Sequence, residues 1–360
     1  MSGPSFTEAE VGERIEAMRR RTPRFKDELI TMAHGAGGKA SRALVEGLLV
    51  PLLDNAALAP LTDAAVVLAG SQRIAMTTDS YVVSPISFPG GSIGELAVNG
   101  TINDLAVSGA APLALSCGLI LEEGLPAEVL RREVEVMGRA AAAAGVAIVT
   151  GDTKVVPRGS CDQLYINTTG IGLLGEAVLS PSLVRPGDKV LVSGTLGDHG
   201  IAIMLARGHL DIEADVRSDT QPLWDLCRAL IETCGDGLRC LRDATRGGVA
   251  TVLNEIALTA EVGVVIAEER LPLRPAVIGA GEILGIDPLY VANEGKLVAF
   301  VAPERADAAL AALRALPAGV DAALIGEVRD EPPGRVLGRT AFGGHRMIDL
   351  LVGDPLPRIC

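Results

Sequence analysis

The sequence predicts an α/β protein, α+β in its ordering, built from two domains of mixed sheets. Three observations carry this. The chain has 360 residues, 48% of them hydrophobic, which is too long for one core and enough for two. Apolar segments of strand and helix length follow one another without the even alternation of a doubly wound sheet. A stretch rich in Ser, Pro and Gly, Pro181 to Gly187, divides them near the middle.

Taken in order, the spacing predicts an amphipathic helix over Thr7 to Arg21, an appendage to the main fold. Ile30 to Lys39 is glycine-rich, and a helix over Ser41 to Val50 should stop at Pro51. A strand over Ile74 to Thr78 should end at Thr78-Asp79-Ser80. Ser92-Ile93-Gly94-Glu95 has the capping-box form and should open a helix of small residues to about Ser108. Ala114 to Leu121 reads as a strand, and Pro126 to Ala144 as a helix stopped by Gly145. Val146 to Thr150 is a strand expected to turn at Gly151-Asp152-Thr153-Lys154, and Leu164 to Leu174 is another. Beyond the boundary, Lys189 to Ser193 is a strand and Gly197 to Arg207 a helix. Asp243 to Ala260 reads as a helix with Gly247-Gly248 at its start. Val264 to Ala267, Lys296 to Val301 and Ala323 to Val328 are strands, and Ala306 to Leu316 is a helix. The expected division is an extension over 1–29, domains over 30–185 and 186–345, and a mobile tail over 346–360.

Only 2% of residues are aromatic, so the cores must be built from Ala, Val, Leu and Ile. The net charge of −13, without a basic stripe interleaved with aromatics, makes nucleic acid a poor partner. No run of about 18 apolar residues survives, so no membrane span is expected. The polar start and six scattered Cys without a CxxC pair suggest a reduced, cytoplasmic protein.

Two motif matches fail on context. Gly90-Gly91-Ser92-Ile93-Gly94 fits G-x-S-x-G but follows Ser-Phe-Pro instead of an apolar strand. The Gly38-Lys39 pair lacks the first Gly of a P-loop, and Ala40 stands where Ser or Thr should be. What remains is a set of lone acids: Asp79, Asp104, Asp152, Asp243 and Glu294. Each lies among small or polar residues at the end of an apolar segment, or beside Asn103 on a helix in the case of Asp104. A single such acid is usually a turn former or cap. Five together suit a hard cation and a nucleotide, because Mg²⁺ takes a few carboxylates plus phosphate oxygens. Lys154 is either a phosphate neutraliser or a surface lysine. The loop His34-Gly35-Ala36-Gly37-Gly38-Lys39 is either a phosphate cradle or a linker. The end of the chain, Asp354-Pro355-Leu356-Pro357-Arg358-Ile359-Cys360, is an extended arm carrying a terminal thiol, expected to be accessible and mobile.

These residues resemble the HypE family, the carbamoyl dehydratases of [NiFe]-hydrogenase maturation, within the superfamily of aminoimidazole ribonucleotide synthetase and selenophosphate synthetase. The resemblance rests on Thr78-Asp79-Ser80-Tyr81, Asn103-Asp104, Gly151-Asp152-Thr153-Lys154-Val155-Val156, Arg242-Asp243-Ala244-Thr245-Arg246-Gly247-Gly248, Ala292-Asn293-Glu294-Gly295-Lys296 and the terminal Pro357-Arg358-Ile359-Cys360. It runs from about Ile30 to the end. It implies the synthetase fold, a homodimer, ATP with Mg²⁺, and a Cys360 that receives a carbamoyl group from HypF. Dehydration to a thiocyanate and transfer of cyanide to the HypC–HypD complex would follow. It implies Asp79, Asp104, Asp152 and Asp243 as metal ligands. Gly35, Gly37, Gly38, Asn103, Thr153, Lys154, Gly247 and Gly248 would bind nucleotide, and Glu294 or Asp104 would be the base. The alternative within the superfamily is a synthetase acting on a free small molecule; a different class is a scaffold whose tail is a peptide ligand.

Overall fold

Two sheets, with one helix wedged between them, position everything that follows. The structure, a computed structural model, describes residues 23–208, 214–351 and 358–360. The expected helix over Thr7 to Arg21 lies outside them, as does most of the tail from Val352.

The described chain enters through helical turns α1 (Lys39–Leu44) and α2 (Val50–Leu53), joined by a π-helical stretch, Val45–Leu49. Pro51 therefore does not end the helix. It falls in the first turn after the π stretch, where a missing N–H is tolerated. Hairpin strands β1 (Ala65–Ala69) and β2 (Gln72–Tyr81) follow, then a two-residue ladder of β3 (Ser87–Phe88) and β4 (Gly91–Ser92). Helix α3 (Ile93–Val107) leads into β5 (Ala110–Glu122), α4 (Ala127–Ala143), β6 (Ala147–Val156) and β7 (Leu164–Leu174). Four strands make antiparallel pairs in the order β1-β2-β7-β5, and β6 pairs parallel to β5 at the edge, reached through the crossover helix α4.

The second half runs β8 (Lys189–Val192), α5 (Asp198–Ala206), α6 (Trp224–Cys234), β9 (Leu238–Asp243), α7 (Gly248–Ala260), β10 (Gly263–Ala267), α8 (Pro275–Leu284), β11 (Leu297–Val301), α9 (Ala306–Arg314), β12 (Ala323–Arg329), β13 (Arg335–Arg339) and β14 (His345–Ile348). Its sheet has the order β14-β13-β10-β12-β8-β11-β9. Strands β8, β10 and β11 are buried along nearly their whole length and accordingly read as nearly continuous apolar runs, Val190–Val192, Val264–Ala267 and Leu297–Val301.

Helix α3 is buried on all sides. Its Ile93, Leu96 and Ile102 join the core under the first sheet, while Ala106 and Val107 join the cluster around Leu191 and Leu223 of the second half. Small residues make this possible: a Cβ at Gly100 would stand 2.2 Å from the Tyr81 hydroxyl. The S-x-x-E box at its start does not form. Ser92 is the N-cap, but no hydrogen bond to its hydroxyl is made and Oγ is buried without a partner.

Three strand boundaries differ from the sequence expectation, and they matter for the acids. Strand β2 continues through Asp79 to Tyr81, because pairing with β7 extends to Tyr81↔Ile166. Strand β6 continues through Asp152 to Val156 against β5. Asp243 ends β9 instead of opening a helix, since it pairs with Leu297; the helix begins five residues later.

Candidate functional site

Strand alternation aims Asp79 inward beside Thr77 and Tyr81. The Tyr81 hydroxyl donates to Asp79 Oδ2 at 3.3 Å. Asp104 arrives from α3 and accepts from Thr77 Oγ1 at 2.7 Å. Asp243 comes from the end of β9 in the second sheet. Asp63, in the turn before β1, completes the group. Carboxylate oxygens of Asp63, Asp104 and Asp243 all lie within 4.8 Å of one another.

Such crowding has an electrostatic consequence. Burial, then the charges of Asp79 and Asp243, pushes the Asp104 carboxyl well above the carboxylate range. Burial, then Asp63, lifts Asp243 to about 8. Asp63 is raised by burial despite Arg242 Nη1 at 3.3 Å. Three acids that cannot all ionise beside one another are a ready site for a hard divalent cation, and their all-oxygen donor set fits Mg²⁺.

Glu294 precedes β11. Its backbone N–H donates to Asp219 Oδ1 at 2.9 Å, and its carbonyl accepts from Asn103 Nδ2 at 3.0 Å. Asp219 in turn pairs with Lys296 at 3.1 Å. The Glu294 side chain is 2% exposed, and its Oε1 has no hydrogen-bond partner. Burial, with Asp243 and Asp219 adding to it, pushes its carboxyl well up.

Cys360 docks in this cleft, so its thiol is not the exposed group the sequence suggested. The cleft is lined by Asp79, Asp104, Asp243, Arg246 and Glu294 as well as Cys360. Burial and the neighbouring Glu294 raise the thiol to about 11, while the Arg246 guanidinium, hydrogen-bonded to it, pulls the other way. A docked thiol is therefore protonated at neutral pH and inert as a free nucleophile.

The other expected residues are spread over several places. Gly35 and Gly247 border the opening beside Arg246 and Cys360. Gly37 and Gly38 border an adjoining open cleft with Arg42 and Arg242. Gly37 has φ +77, and a Cβ there would meet Arg246 Cβ at 2.7 Å. Gly248, at φ +61, would bring a Cβ to 2.5 Å from the Leu289 carbonyl oxygen, so it serves the close approach of that loop. Asn103 is occupied structurally: Oδ1 accepts from Leu223 N at 2.8 Å, and Nδ2 donates to the carbonyls of Gln221 and Glu294. Asp152, Thr153 and Lys154 do not converge on the acids within one chain. They lie on the exposed edge strand β6, three strands or roughly 14 Å from β2, and Lys154 Nζ pairs with Asp152 at 2.6 Å. His34 is held by Thr31 and Asp27.

Sequence reasoning missed Asp63, Arg246 as a contact of the thiol, and the Asp219–Lys296 pair. Asp63 had a signal of the same kind as the others, an acid abutting an apolar strand, Asp63-Ala64-Ala65-Val66-Val67.

The family described as AIR synthase related protein, N-terminal domain, matches residues 61–174, and the corresponding C-terminal domain matches 185–338. The chain is 53% identical to the carbamoyl dehydratase HypE of Rhodobacter capsulatus over 93% of this chain and 99% of that one. It is similar to a solved HypE in complex with ATP, at 48% identity, TM-score 0.78, covering 92% of this chain and all of the other. It is also similar to a chain of a solved HypE–HypF complex, at 46% identity, TM-score 0.82, covering 86% and 100%.

Proposed function

Since the chain belongs to the HypE family of carbamoyl dehydratases in hydrogenase maturation, we propose that it dehydrates a carbamoyl group carried on its own Cys360 to a thiocyanate, using ATP. The observation that carries the reading is the Cys360 thiol lying in the same cleft as Arg246 and the Glu294 carboxyl, whose Oε1 accepts no hydrogen bond.

The chemistry follows from the groups present. An amide oxygen is a poor leaving group until it carries a phosphoryl group. The S-carboxamide oxygen takes the γ-phosphoryl of ATP, giving ADP. The C–O bond then breaks, phosphate leaves with that oxygen, and loss of both amide protons closes C≡N. Arg246 is placed to hold the carbonyl oxygen and the phosphate that forms on it. Glu294 would take an amide proton, its proton affinity raised first by burial and then by Asp243 and Asp219. Asp63, Asp104 and Asp243 would hold Mg²⁺, which would neutralise phosphate charge when bound, and Asp79, itself held by the Tyr81 hydroxyl, would add a further carboxylate beside them.

The chain is proposed to act as a homodimer in the cytoplasm, to receive the carbamoyl group from HypF and to deliver cyanide to HypC–HypD. Exposed Leu68, Leu113, Val149 and Val155 on the first sheet favour a second copy as its cover. Replacing Cys360→Ala tests the attachment point. Fold and ATP binding should persist, and thiocyanate formation with HypF as donor should cease. Cyanide-bearing product from the variant would overturn the assignment, and would favour a free small-molecule substrate.

A further inference from the structure

The backbone of Glu294 is held from both halves of the chain. Its carbonyl accepts from Asn103 on α3, and its N–H donates to Asp219 Oδ1 at 2.9 Å. Asp219 lies ahead of α6, and no step of the chemistry above uses it. Its side chain is 4% exposed and pairs at 3.1 Å with Lys296 Nζ, on a side chain 8% exposed. Burying two charges costs desolvation energy, so a pair at this depth asks for a reason.

The surroundings are fitted to the pair. Lys296 runs past Gly194, where a Cβ would stand 2.9 Å from its Cε. Residues 218–221 lie close across the turn that carries Glu294. A Cβ at Gly295 would overlap the Asp219 carbonyl oxygen, and Gln221 Nε2 donates to the Gly295 carbonyl at 2.9 Å. The same stretch is tied to the first half of the chain. The Ser218 N–H donates to the Pro89 carbonyl at 2.8 Å, and Asn99 Nδ2 donates to Thr220 Oγ1 at 3.1 Å. A Cβ at Gly90 would meet Ser218 N at 2.7 Å, and one at Gly91 would meet Thr220 Cγ2 at 2.9 Å. The Gly90-Gly91 pair of the failed G-x-S-x-G match is thus the seat of residues 218–221.

The Glu294 carboxyl has no hydrogen bond at Oε1 to fix it, so its aim depends on where its backbone is held. We propose that Asp219 and Lys296 are positioning residues for the dehydration. The Asp219 carboxylate holds the Glu294 N–H, the Lys296 ammonium holds that carboxylate, and the base keeps its aim at the group on Cys360. Neither residue lines the cleft that contains the thiol, so both act through Glu294. The inference rests on the reading of Glu294 as the base. Its size follows from geometry, since a misplacement of about 1 Å costs a reaction roughly 100-fold.

The test compares two double variants, Asp219→Asn with Lys296→Met and Asp219→Ala with Lys296→Met. Both remove the pair's two charges, so neither leaves one buried and unpaired. They differ in the oxygen offered to the Glu294 N–H. Loss of water from the S-carbamoylated chain is followed by intact mass in a single turnover at saturating Mg-ATP, and ATP affinity by calorimetric titration. The Asn form should react within about threefold of the unaltered chain and the Ala form roughly 10- to 100-fold slower, with ATP affinity alike in all three. With Glu294→Gln added to each, the gap between the Asn and Ala forms should close to less than about threefold, because losses through one shared group do not add. A gap that persists beside Glu294→Gln, no gap with Glu294 present, or an ATP affinity that falls in step with the rate overturns the positioning role. Two other results strike the reading underneath and remove the inference with it. An unaltered S-carbamoylated chain that never loses water overturns the dehydratase, and full rate in Glu294→Gln alone overturns the base.

Discussion

Glu294 shows how burial makes a base from an ordinary carboxylate. Its proton affinity is raised by loss of solvent first and by Asp243 and Asp219 after it. A base acts only when ionised, so the dehydration rate should rise with pH along a limb lying well above the usual carboxylate range near 4.5. Glu294→Gln should abolish that limb and cost roughly two to four orders of magnitude in rate, with ATP affinity by calorimetric titration nearly unchanged. If affinity falls as far as in Asp63→Asn, Glu294 belongs with the metal acids and Asp104 must be considered for the base. Asp63→Asn gives the complementary outcome. An amide cannot replace the charge a cation needs, so Mg-ATP binding itself should weaken; unchanged affinity would remove Asp63 from the site. At this scale, Asp79, Asp104, Asp243 and Glu294 were legible as acids closing or adjoining apolar segments. Asp152 has the same local appearance, yet β6 runs on past it and leaves it exposed beside Lys154. Local sequence does not say where a strand stops when the neighbouring strand is what sustains it.

Helix α3 couples the two sheets and the site. Asn103 on it ties the Gln221 and Glu294 carbonyls and the Leu223 N–H to the first half of the chain. Asn103→Ala leaves those buried backbone groups unpaired and should cost roughly 2–4 kcal/mol in urea unfolding. It should also lower dehydration, since the Glu294 backbone loses its anchor. A stability change within about 0.5 kcal/mol, typical of surface sites, would contradict the clamp. The helix itself was readable from its small and apolar residues, but the partners of Asn103 were not, because they lie more than a hundred positions away. The helix α6, the edge strand β14 and its neighbour β13 escaped the sequence reading. Trp224 to Cys234 mixes Asp, Arg and Glu with its apolar residues, and β13 and β14 carry Arg and His at a sheet edge, where charge is tolerated.

For the whole molecule, the acid cluster makes stability depend on pH and on metal together. Asp243 has a folded-state value near 8 against an ordinary 3.8, so the folded chain holds the proton more tightly than the unfolded one. Its contribution is fully present below about 4 and is lost as pH rises through 8. Asp104 and Glu294 act in the same direction. The metal-free protein should therefore show a Tm that falls between about pH 5 and 8, and Mg²⁺ with ATP should remove the slope by favouring the ionised acids. A Tm that rises over that interval without metal would contradict the crowded cluster. That the chain builds two mixed sheets was legible from its length and the order of its elements, whereas the docking of the chain end was not, since prolines report extension and not destination.

The central claim is that the terminal thiol carries the group on which the chemistry is done. The most direct measurement is the intact mass of S-carbamoylated protein before and after Mg-ATP, with the C-terminal peptide mapped. The account predicts loss of one water, confined to the peptide ending in Cys360 and dependent on ATP. An unchanged mass, with ATP consumed only when a free small molecule is added, would contradict it.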